Sequence, residues 1–201
     1  NFMDGGTGAD LVVGGTAADR LLGGIGDDTI YGGDGADTID AGAGIDQVWA
    51  GAGNDSVLGG VGDDQLFGED GANTIDGGDG ADLIVGDVGT DRLLGGLGND
   101  TVFADDGADI AFGGDDDDVL EGGGGNDTLD GGTGADTLFA GEDDGGPSVN
   151  VLTGGAGNDL LLGYAGQDTL DGGSDNDTLD AGSGNDRLLG GGGNDLLSGG
   201  S

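Results

Sequence analysis

The chain has 201 residues, of which 56 are glycine, and its 42 acidic residues against three arginines give a formal net charge of −39. Three basic residues cannot form a phosphate-binding surface, so nucleic acid is excluded as a partner. Cys, His and Lys are absent, which removes disulfides, thiolate or imidazole metal sites and most nucleophilic catalysis, and we expect no enzymatic activity. No apolar run reaches the roughly 18 residues of a membrane span, so no transmembrane segment is expected.

In chain order, the sequence is a nine-residue repeat that stays in register almost from end to end. Fifteen uninterrupted nonamers run from Gly5 to Phe139, and five more run from Gly154 to Ser198. We therefore predict one continuous array over residues 1–201, with about 21 nonamers.

One repeat departs from this length, and neither terminus coincides with a repeat boundary. The repeat at 140–153 has fourteen residues, and its extra residues predict a loop insertion at 144–149, around Pro147. Residues 1–4 fit the last four positions of a repeat, and residues 199–201 begin another one. Both termini thus cut through a repeat, and we expect a segment of a longer array or a unit whose ends meet another copy.

The nonamer Gly23–Tyr31 shows what each position requires. Glycine occupies positions one, two and four, aspartate occupies position six, and a large aliphatic occupies position eight. Position six is Asp in nineteen of the 21 repeats, with Asn73 and Asn150 as exceptions, and position eight is aliphatic except at Ala111. Glycine at position four predicts a positive φ, which Asp also tolerates. The exceptions at position four are Ala17, Asp116, Asp143 and Asp175.

This pattern, G-G-x-G-x-D-x-U-x with U a large aliphatic residue, resembles the RTX nonapeptide repeat of secreted bacterial toxins, proteases and lipases. The resemblance covers essentially the whole chain. It implies an all-β fold, a right-handed parallel β-roll or β-solenoid with two nonapeptides per coil. Each GGxGxD half would be a turn and each x-U-x half a short strand. Two short-stranded parallel sheets would result, with calcium-binding turns on both edges.

The residues themselves also favour calcium. One inward aliphatic per short strand buries too little apolar surface to offset the loss of backbone entropy, so a ligand must stabilise the folded state. Calcium prefers six to eight oxygen ligands, which carboxylates and the carbonyls of glycine-rich turns can supply. With each ion between repeats n and n+2, as the family implies, the chain would hold up to about 19 Ca²⁺, whose charge nearly balances −39.

The predicted metal ligands are the position-six residues, and the calcium-free chain is predicted to be largely unfolded. The two asparagines lose a carboxylate charge, so the sites of Asn73 and Asn150 should be the weaker ones. The carboxylates are Asp10, Asp19, Asp28, Asp37, Asp46, Asp55, Asp64, Asp82, Asp91, Asp100, Asp109, Asp118, Asp127, Asp136, Asp159, Asp168, Asp177, Asp186 and Asp195.

Positions seven and nine should point outward if position eight points inward, because strand side chains alternate. In one sheet, position nine then forms an apolar stripe whose aromatic members are Tyr31, Trp49, Phe67, Phe103 and Phe139. An exposed stripe of this kind is typical of an interface with another copy, a neighbouring domain, a carbohydrate or a surface. The alternative is that the rings only stabilise a flat sheet.

Two functions remain open. The first is a calcium-binding module of a secreted or cell-surface bacterial protein with a structural or assembly role, as a filament, surface layer or adhesin stalk. The second is an accessory folding or secretion module of a type I-secreted enzyme or toxin whose catalytic domain lies outside this chain. Both place the chain outside the cell, with calcium ions as partners and self-association through the stripe or the chain ends as an expectation.

Overall fold

The computed structural model of the chain describes residues 1–141 and 148–201, and over these ranges all the regular structure is β. Its strands are β1 (Phe2–Thr7), β2 (Leu11–Gly15), β3 (Arg20–Ile25), β4 (Thr29–Asp34), β5 (Thr38–Ala43), β6 (Gln47–Ala52), β7 (Ser56–Val61), β8 (Gln65–Asp70), β9 (Thr74–Asp79), β10 (Leu83–Val85), β11 (Val88–Gly89), β12 (Arg92–Leu97), β13 (Thr101–Phe103), β14 (Asp106–Gly107), β15 (Ile110–Asp115), β16 (Val119–Glu121), β17 (Gly124–Gly125), β18 (Thr128–Thr133), β19 (Thr137–Phe139), β20 (Val151–Ala156), β21 (Leu160–Leu162), β22 (Ala165–Gly166), β23 (Thr169–Ser174), β24 (Thr178–Asp180), β25 (Ser183–Gly184), β26 (Arg187–Leu189) and β27 (Leu196–Ser198).

The strands form two long parallel sheets, and successive repeats of the chain alternate between them. Sheet 1 has 11 strands in the order β1-β3-β5-β7-β9-β12-β15-β18-β20-β23-β26. Sheet 2 has 14 strands, of which β2-β4-β6-β8-β10-β13-β16-β19-β21-β24-β27 form the main path and β11, β14 and β17 branch from β8. β22 and β25 form a separate pair. The predicted all-β parallel β-roll or solenoid, with two repeats per coil, is confirmed.

The register follows from the repeat length. Each strand residue pairs with the residue 18 positions later, as Leu21 does with Ile39 and Ile30 with Val48. Position eight therefore forms one continuous buried column in each sheet, from Val12 to Leu179. The predicted inward position is confirmed, and Ala111 is buried there like its larger neighbours.

Two features of the strands differ from the pattern expected of the repeat. In sheet 1 most strands continue from position seven to position three of the next repeat, so the two glycines lie in strands and positions four to six form the turn. Position one also faces inward, because alanines at this position are fully buried and extend the core. These alanines are Ala41, Ala50, Ala104, Ala140 and Ala181.

The turns lie along two edges of the roll. The first edge carries the turns that lead from sheet 1 to sheet 2, such as 23–28 and 95–100, and the second edge carries those that return, such as 32–37 and 68–73. From β10 onward the strands of sheet 2 that reach the second edge have three residues, whereas β4, β6 and β8 have six.

Position two differs between the two edges. It is Gly throughout the first edge, whereas on the second edge four residues with side chains, Glu69, Asp87, Asp105 and Tyr164, occupy it with φ between 63° and 70°. The glycines Gly33 and Gly51 reach φ of 104° and 105°. A side chain at position two does not by itself shorten the strand, because β8 includes Glu69 and has six residues, whereas β16 and β24 precede glycines at position two and have three.

The insertion leaves the register of both sheets intact. Across it, pairs are separated by 23 residues, as for Leu129 with Leu152 and Leu138 with Leu161. Residues 144–147 of the predicted loop lie outside the described residues. Its last two residues are placed: Ser148 forms a bridge with Gly166, and the Val149 amide donates to Asn126 Oδ1. Ser148 and Val149 thus occupy positions four and five of the coil.

Candidate metal centre

The position-six residues form one hydrogen-bonded ladder along each edge. The backbone N–H of each residue donates to Oδ1 of the position-six side chain in the next coil, as Asp28 does to Asp46 at 2.7 Å and Asp82 to Asp100 at 2.8 Å. The first ladder contains Asp10, Asp28, Asp46, Asp64, Asp82, Asp100, Asp118, Asp136, Asp159, Asp177 and Asp195. The second contains Asp19, Asp37, Asp55, Asn73, Asp91, Asp109, Asp127, Asn150, Asp168 and Asp186.

The second carboxylate oxygen of these side chains is buried and has no hydrogen-bond donor in the described part of the chain. This holds for Oδ2 of Asp10, Asp19, Asp28, Asp37, Asp46, Asp55, Asp64, Asp82, Asp91, Asp100, Asp109, Asp118, Asp136, Asp159, Asp177 and Asp186. A buried acceptor without a partner costs about 1–3 kcal/mol, and more when it is charged. A regular column of such oxygens therefore requires positive charge.

Where position one is glycine, the oxygens of two stacked turns approach it closely. A Cβ placed on Gly95 would lie 2.3 Å from Oδ2 of Asp100 and 2.5 Å from the carbonyl oxygen of Gly113 in the next coil. The same pair of oxygens surrounds Gly59, with Oδ2 of Asp64 at 2.7 Å and the Gly77 carbonyl at 2.5 Å. A carboxylate of one turn and a carbonyl of the next turn thus converge in every such coil.

This donor set suits a hard cation. In residues 1–141 and 148–201, no group of three or more acidic side chains could hold a metal ion by itself. Backbone carbonyls must therefore supply the remaining ligands, and calcium accepts such mixed oxygen sets more readily than magnesium, which keeps its waters. The residues fit calcium, and the position-six carboxylates with the carbonyls of stacked turns would hold it.

Burial makes these carboxylates costly to ionise without a cation. Burial, together with the smaller effect of nearby carboxylates and against the lowering effect of the backbone hydrogen bond, raises the pKa of Asp64, Asp100 and Asp118 to about 7. On the second edge, burial raises the pKa of Asp109 to about 7 and of Asp91 to about 6. On both edges, therefore, the charged form of these carboxylates is disfavoured chiefly by burial.

These pKa values predict opposite effects of pH with and without calcium. The folded pKa of Asp100 lies above its ordinary value of 3.8, so the stability of the calcium-free roll is greatest below about pH 4 and is lost as the pH rises to about 7. Protons compete with calcium for the same oxygens, so the calcium-loaded roll should instead weaken on acidification from about pH 7 to pH 5.

Far-UV circular dichroism at about pH 5 and about pH 7.5, with calcium removed and with calcium saturating, measures both effects. We expect more β signal at the lower pH in the calcium-free sample, and a higher calcium requirement at the lower pH in the titrated sample. Greater β content at the higher pH without calcium would contradict the assignment of raised pKa values.

The two asparagines lie on the second edge, and both occupy the ladder as the aspartates do. Oδ1 of Asn73 accepts from the Asp55 amide at 3.0 Å, and Oδ1 of Asn150 accepts from the Asp127 amide at 2.8 Å. Their Nδ2 groups differ, because that of Asn150 donates to Ser148 Oγ at 2.8 Å whereas that of Asn73 is buried and has no partner among the described residues. The sequence alone predicted weaker sites at both residues and did not distinguish between them.

Position five forms a further ladder that the consensus does not predict. Its Asp and Asn side chains accept from the position-five amide of the next coil, as Asp27 does from Ile45 at 2.9 Å and Asp63 from Ala81 at 3.0 Å. The frequent Asn or Asp at this position was the available signal. Position four follows expectation at Asp116 and Asp175, with φ of 78° and 79°, whereas Ala17 has no positive φ and Asp143 lies outside the described residues.

The aromatic stripe lies on the outer face of sheet 2, in register. Tyr31 and Trp49 stack at 4.9 Å between ring centroids and 12° between planes, and Trp49 and Phe67 stack at 5.4 Å and 11°. Tyr31 is exposed, and the other members are half-buried. Phe103 and Phe139 lie farther along the same column, separated by Glu121. No helix in the described ranges is long and apolar enough to cross a membrane.

Comparison with protein families identifies the repeat. The model described as RTX calcium-binding nonapeptide repeat (4 copies) matches in overlapping segments, which together extend from residue 4 to residue 201. The segments are 4–39, 31–66, 58–93, 67–102, 85–120, 103–138, 112–145, 144–179 and 171–201. A search of the curated proteins gave no match.

Proposed function

This chain belongs to the RTX calcium-binding nonapeptide repeat family, and we propose that it is a calcium-folded β-roll with a structural or assembly role outside the cell. Its calcium-binding character comes with the family. The observation that supports calcium-dependent folding is the two columns of buried Oδ2 atoms, one along each edge, that have no donor among the described residues. Such an array is expected to fold only when cations neutralise the buried carboxylates of its turns.

The shape of the molecule supports a structural role. Its sheets continue through 11 strands in constant register, which at about 4.8 Å per strand makes a rod about 50 Å long. Rods of this kind propagate by stacking identical units, and their faces offer the same spacing to every neighbour. This is the behaviour of an assembly element, and we propose no catalytic function for the chain.

The outer face of sheet 2 is the proposed contact surface. Of its outward-pointing residues at positions seven and nine, only Glu121 and Asp180 are charged, although the chain carries a net charge of −39. The acidic residues are concentrated on the turns instead. Once calcium neutralises the edges, this apolar face is the surface on which two copies can approach.

The same chemistry supports the proposed extracellular location. Calcium-binding modules outside the cell operate at about 10⁻⁴–10⁻³ M calcium, far above the intracellular concentration. A chain that requires calcium to fold would remain extended inside the cell and compact after export. This order of events suits a secreted or cell-surface protein.

Electron microscopy of the purified chain in calcium tests the assembly role. Filaments or ordered sheets are the expected result. Dispersed short rods would overturn it and would favour an accessory module of a larger secreted protein. Calorimetric titration on the same sample shows separately whether calcium binds.

Removing the stacked rings should abolish assembly but leave calcium-dependent folding intact. In the double variant Trp49→Ser, Phe67→Ser, the stability lost is expected to be about 1–3 kcal/mol, because each aromatic pair contributes about 0.5–1.5 kcal/mol beyond its buried area. Phe112→Ser is the matched control, since Phe112 contacts Arg92 at 4.7 Å on the opposite sheet. Loss of folding and assembly together would show that the stripe acts as core.

A further inference from the structure

Asn73 places a hydrogen-bond donor where the sixteen aspartates named above place a carboxylate oxygen that has no donor among the described residues. Its Nδ2 is buried and has no partner among the described residues. A Cβ on Gly68 would meet this Nδ2 at 2.8 Å and the Gly86 carbonyl oxygen at 2.8 Å. These are the positions that Asp64 Oδ2 and the Gly77 carbonyl take around Gly59. The nitrogen thus faces the space in which a cation would be held.

The backbone determines the orientation of this amide. Oδ1 of Asn73 accepts the Asp55 N–H at 3.0 Å. Rotating the amide by half a turn would bring its NH₂ group against that N–H, so that two donors would face each other. The ladder therefore holds Nδ2 in the cation position. Compared with a carboxylate oxygen, the Nδ2 group removes a negative charge and directs its positive N–H dipoles toward the position that a cation would occupy.

From this we infer that the position between turns 68–73 and 86–91 that corresponds to a calcium site takes a water molecule instead, which divides the calcium column of the second edge. The inference rests on the proposed calcium-dependent folding. Water fits because its oxygen can accept from Nδ2 while its hydrogens donate to a carbonyl such as that of Gly86. Asn150 needs no such water, since Ser148 Oγ already accepts from its Nδ2.

The inferred interruption of the calcium column at Asn73 coincides with three other changes in the roll. Glu69, in the same turn, is the first position-two residue with a side chain and has φ of 63°. β8 is the last six-residue strand of sheet 2, and Phe67 is the last ring of the aromatic stack. Residues 2–70 thus form a block with long strands in both sheets, stacked aromatic rings and, between Asp19 and Asp55, an unbroken carboxylate ladder.

At the junction between residues 2–70 and the rest of the roll, only the first edge has a position-six carboxylate in each of the adjoining turns. There Asp64 donates from its amide to Asp82 at 2.8 Å, and both are carboxylates. The N-terminal block should therefore take up calcium and fold as a separate cooperative unit, because coupling between neighbours in a repeat protein depends on their shared interface. Trp49, the single tryptophan of the chain, lies inside this block and reports on it alone.

Calcium titrations of the whole chain, followed by Trp49 fluorescence and by far-UV circular dichroism, test this division. For the unaltered chain we expect the fluorescence change to be completed at lower calcium than the dichroism change, by about twofold or more. Asn73→Asp should add about one calcium ion per chain in equilibrium dialysis and bring the two curves together. Asn54→Asp, an exposed position-five change of equal charge on the same edge, should do neither.

Coincident curves in the unaltered chain, or an unchanged calcium count in Asn73→Asp, would overturn the inference while leaving calcium-dependent folding in place. If neither signal responds to calcium in any variant, the proposed function itself fails. Because Asn73→Asp introduces the residue that is commonest at position six of the repeat, the variant is expected to fold.

Discussion

Removing calcium is expected to convert the roll into a largely unfolded chain, and restoring calcium should refold it cooperatively. Sixteen buried Oδ2 atoms lie in two columns without a donor among the described residues. At about 1–3 kcal/mol each, their combined cost exceeds the roughly 5–15 kcal/mol by which a typical domain is stable. The core of single aliphatics cannot offset this cost. Far-UV circular dichroism and hydrodynamic radius, before and after chelation, measure the transition.

Two controls separate specific binding from charge screening. Sodium chloride at equal ionic strength screens the carboxylates but cannot bridge them, so it should restore little β structure. Magnesium should be less effective than calcium, because it does not readily replace its waters with backbone carbonyls. An unchanged β signal in the chelated chain would contradict calcium-dependent folding.

Leu93→Ala is expected to destabilise the calcium-loaded roll by about 4 kcal/mol, near the upper part of the range for such changes in a core. Leu93 is fully buried and pairs with Ile75 on one side and Ala111 on the other. Because Ala111 is already small, the neighbouring coils have little side-chain volume with which to fill the cavity. Urea denaturation at saturating calcium gives the free energy of unfolding.

The matched control lies four residues later in the same strand. Leu97→Ala removes the same atoms from β12, but Leu97 points outward and is 49% exposed. Its effect should remain below about 0.5 kcal/mol, as for surface positions without special contacts. Similar losses for the two variants would mean that position eight is not the main source of core stability.

Much of the site could be predicted because the repeat has a constant period. Eighteen residues per coil bring Asp28 beside Asp46 whatever the intervening side chains are, so the two edges and the inward position followed from counting. The use of the two carboxylate oxygens did not follow. It depends on the distance between coils, which lets the amide of one turn reach Oδ1 of the next and leaves Oδ2 bare.

The residues at position two show another feature that could not be predicted from the sequence, the length of the strands. Glu69 and Asp87 are visible departures from glycine in the sequence, yet Glu69 lies within the six-residue strand β8, whereas the strand before Asp87 ends at Val85. The ladder at position five is similar, since Asp27 could hydrogen-bond locally or to another coil. Only the stacked chain provides the Ile45 amide as its donor.

By itself, the sequence determined the period and the inward and outward positions, and it predicted a requirement for cations, because these depend only on residue type and spacing. The tertiary structure decided how identical residues at equivalent positions differ in their contacts. Asn73 and Asn150 replace the same carboxylate in the same repeat position. The amide nitrogen of Asn73 is buried without a partner among the described residues, and that of Asn150 donates to Ser148 at 2.8 Å. The reason is physical: the partner of a buried polar atom comes from whichever residue the folded chain brings within about 3 Å of it.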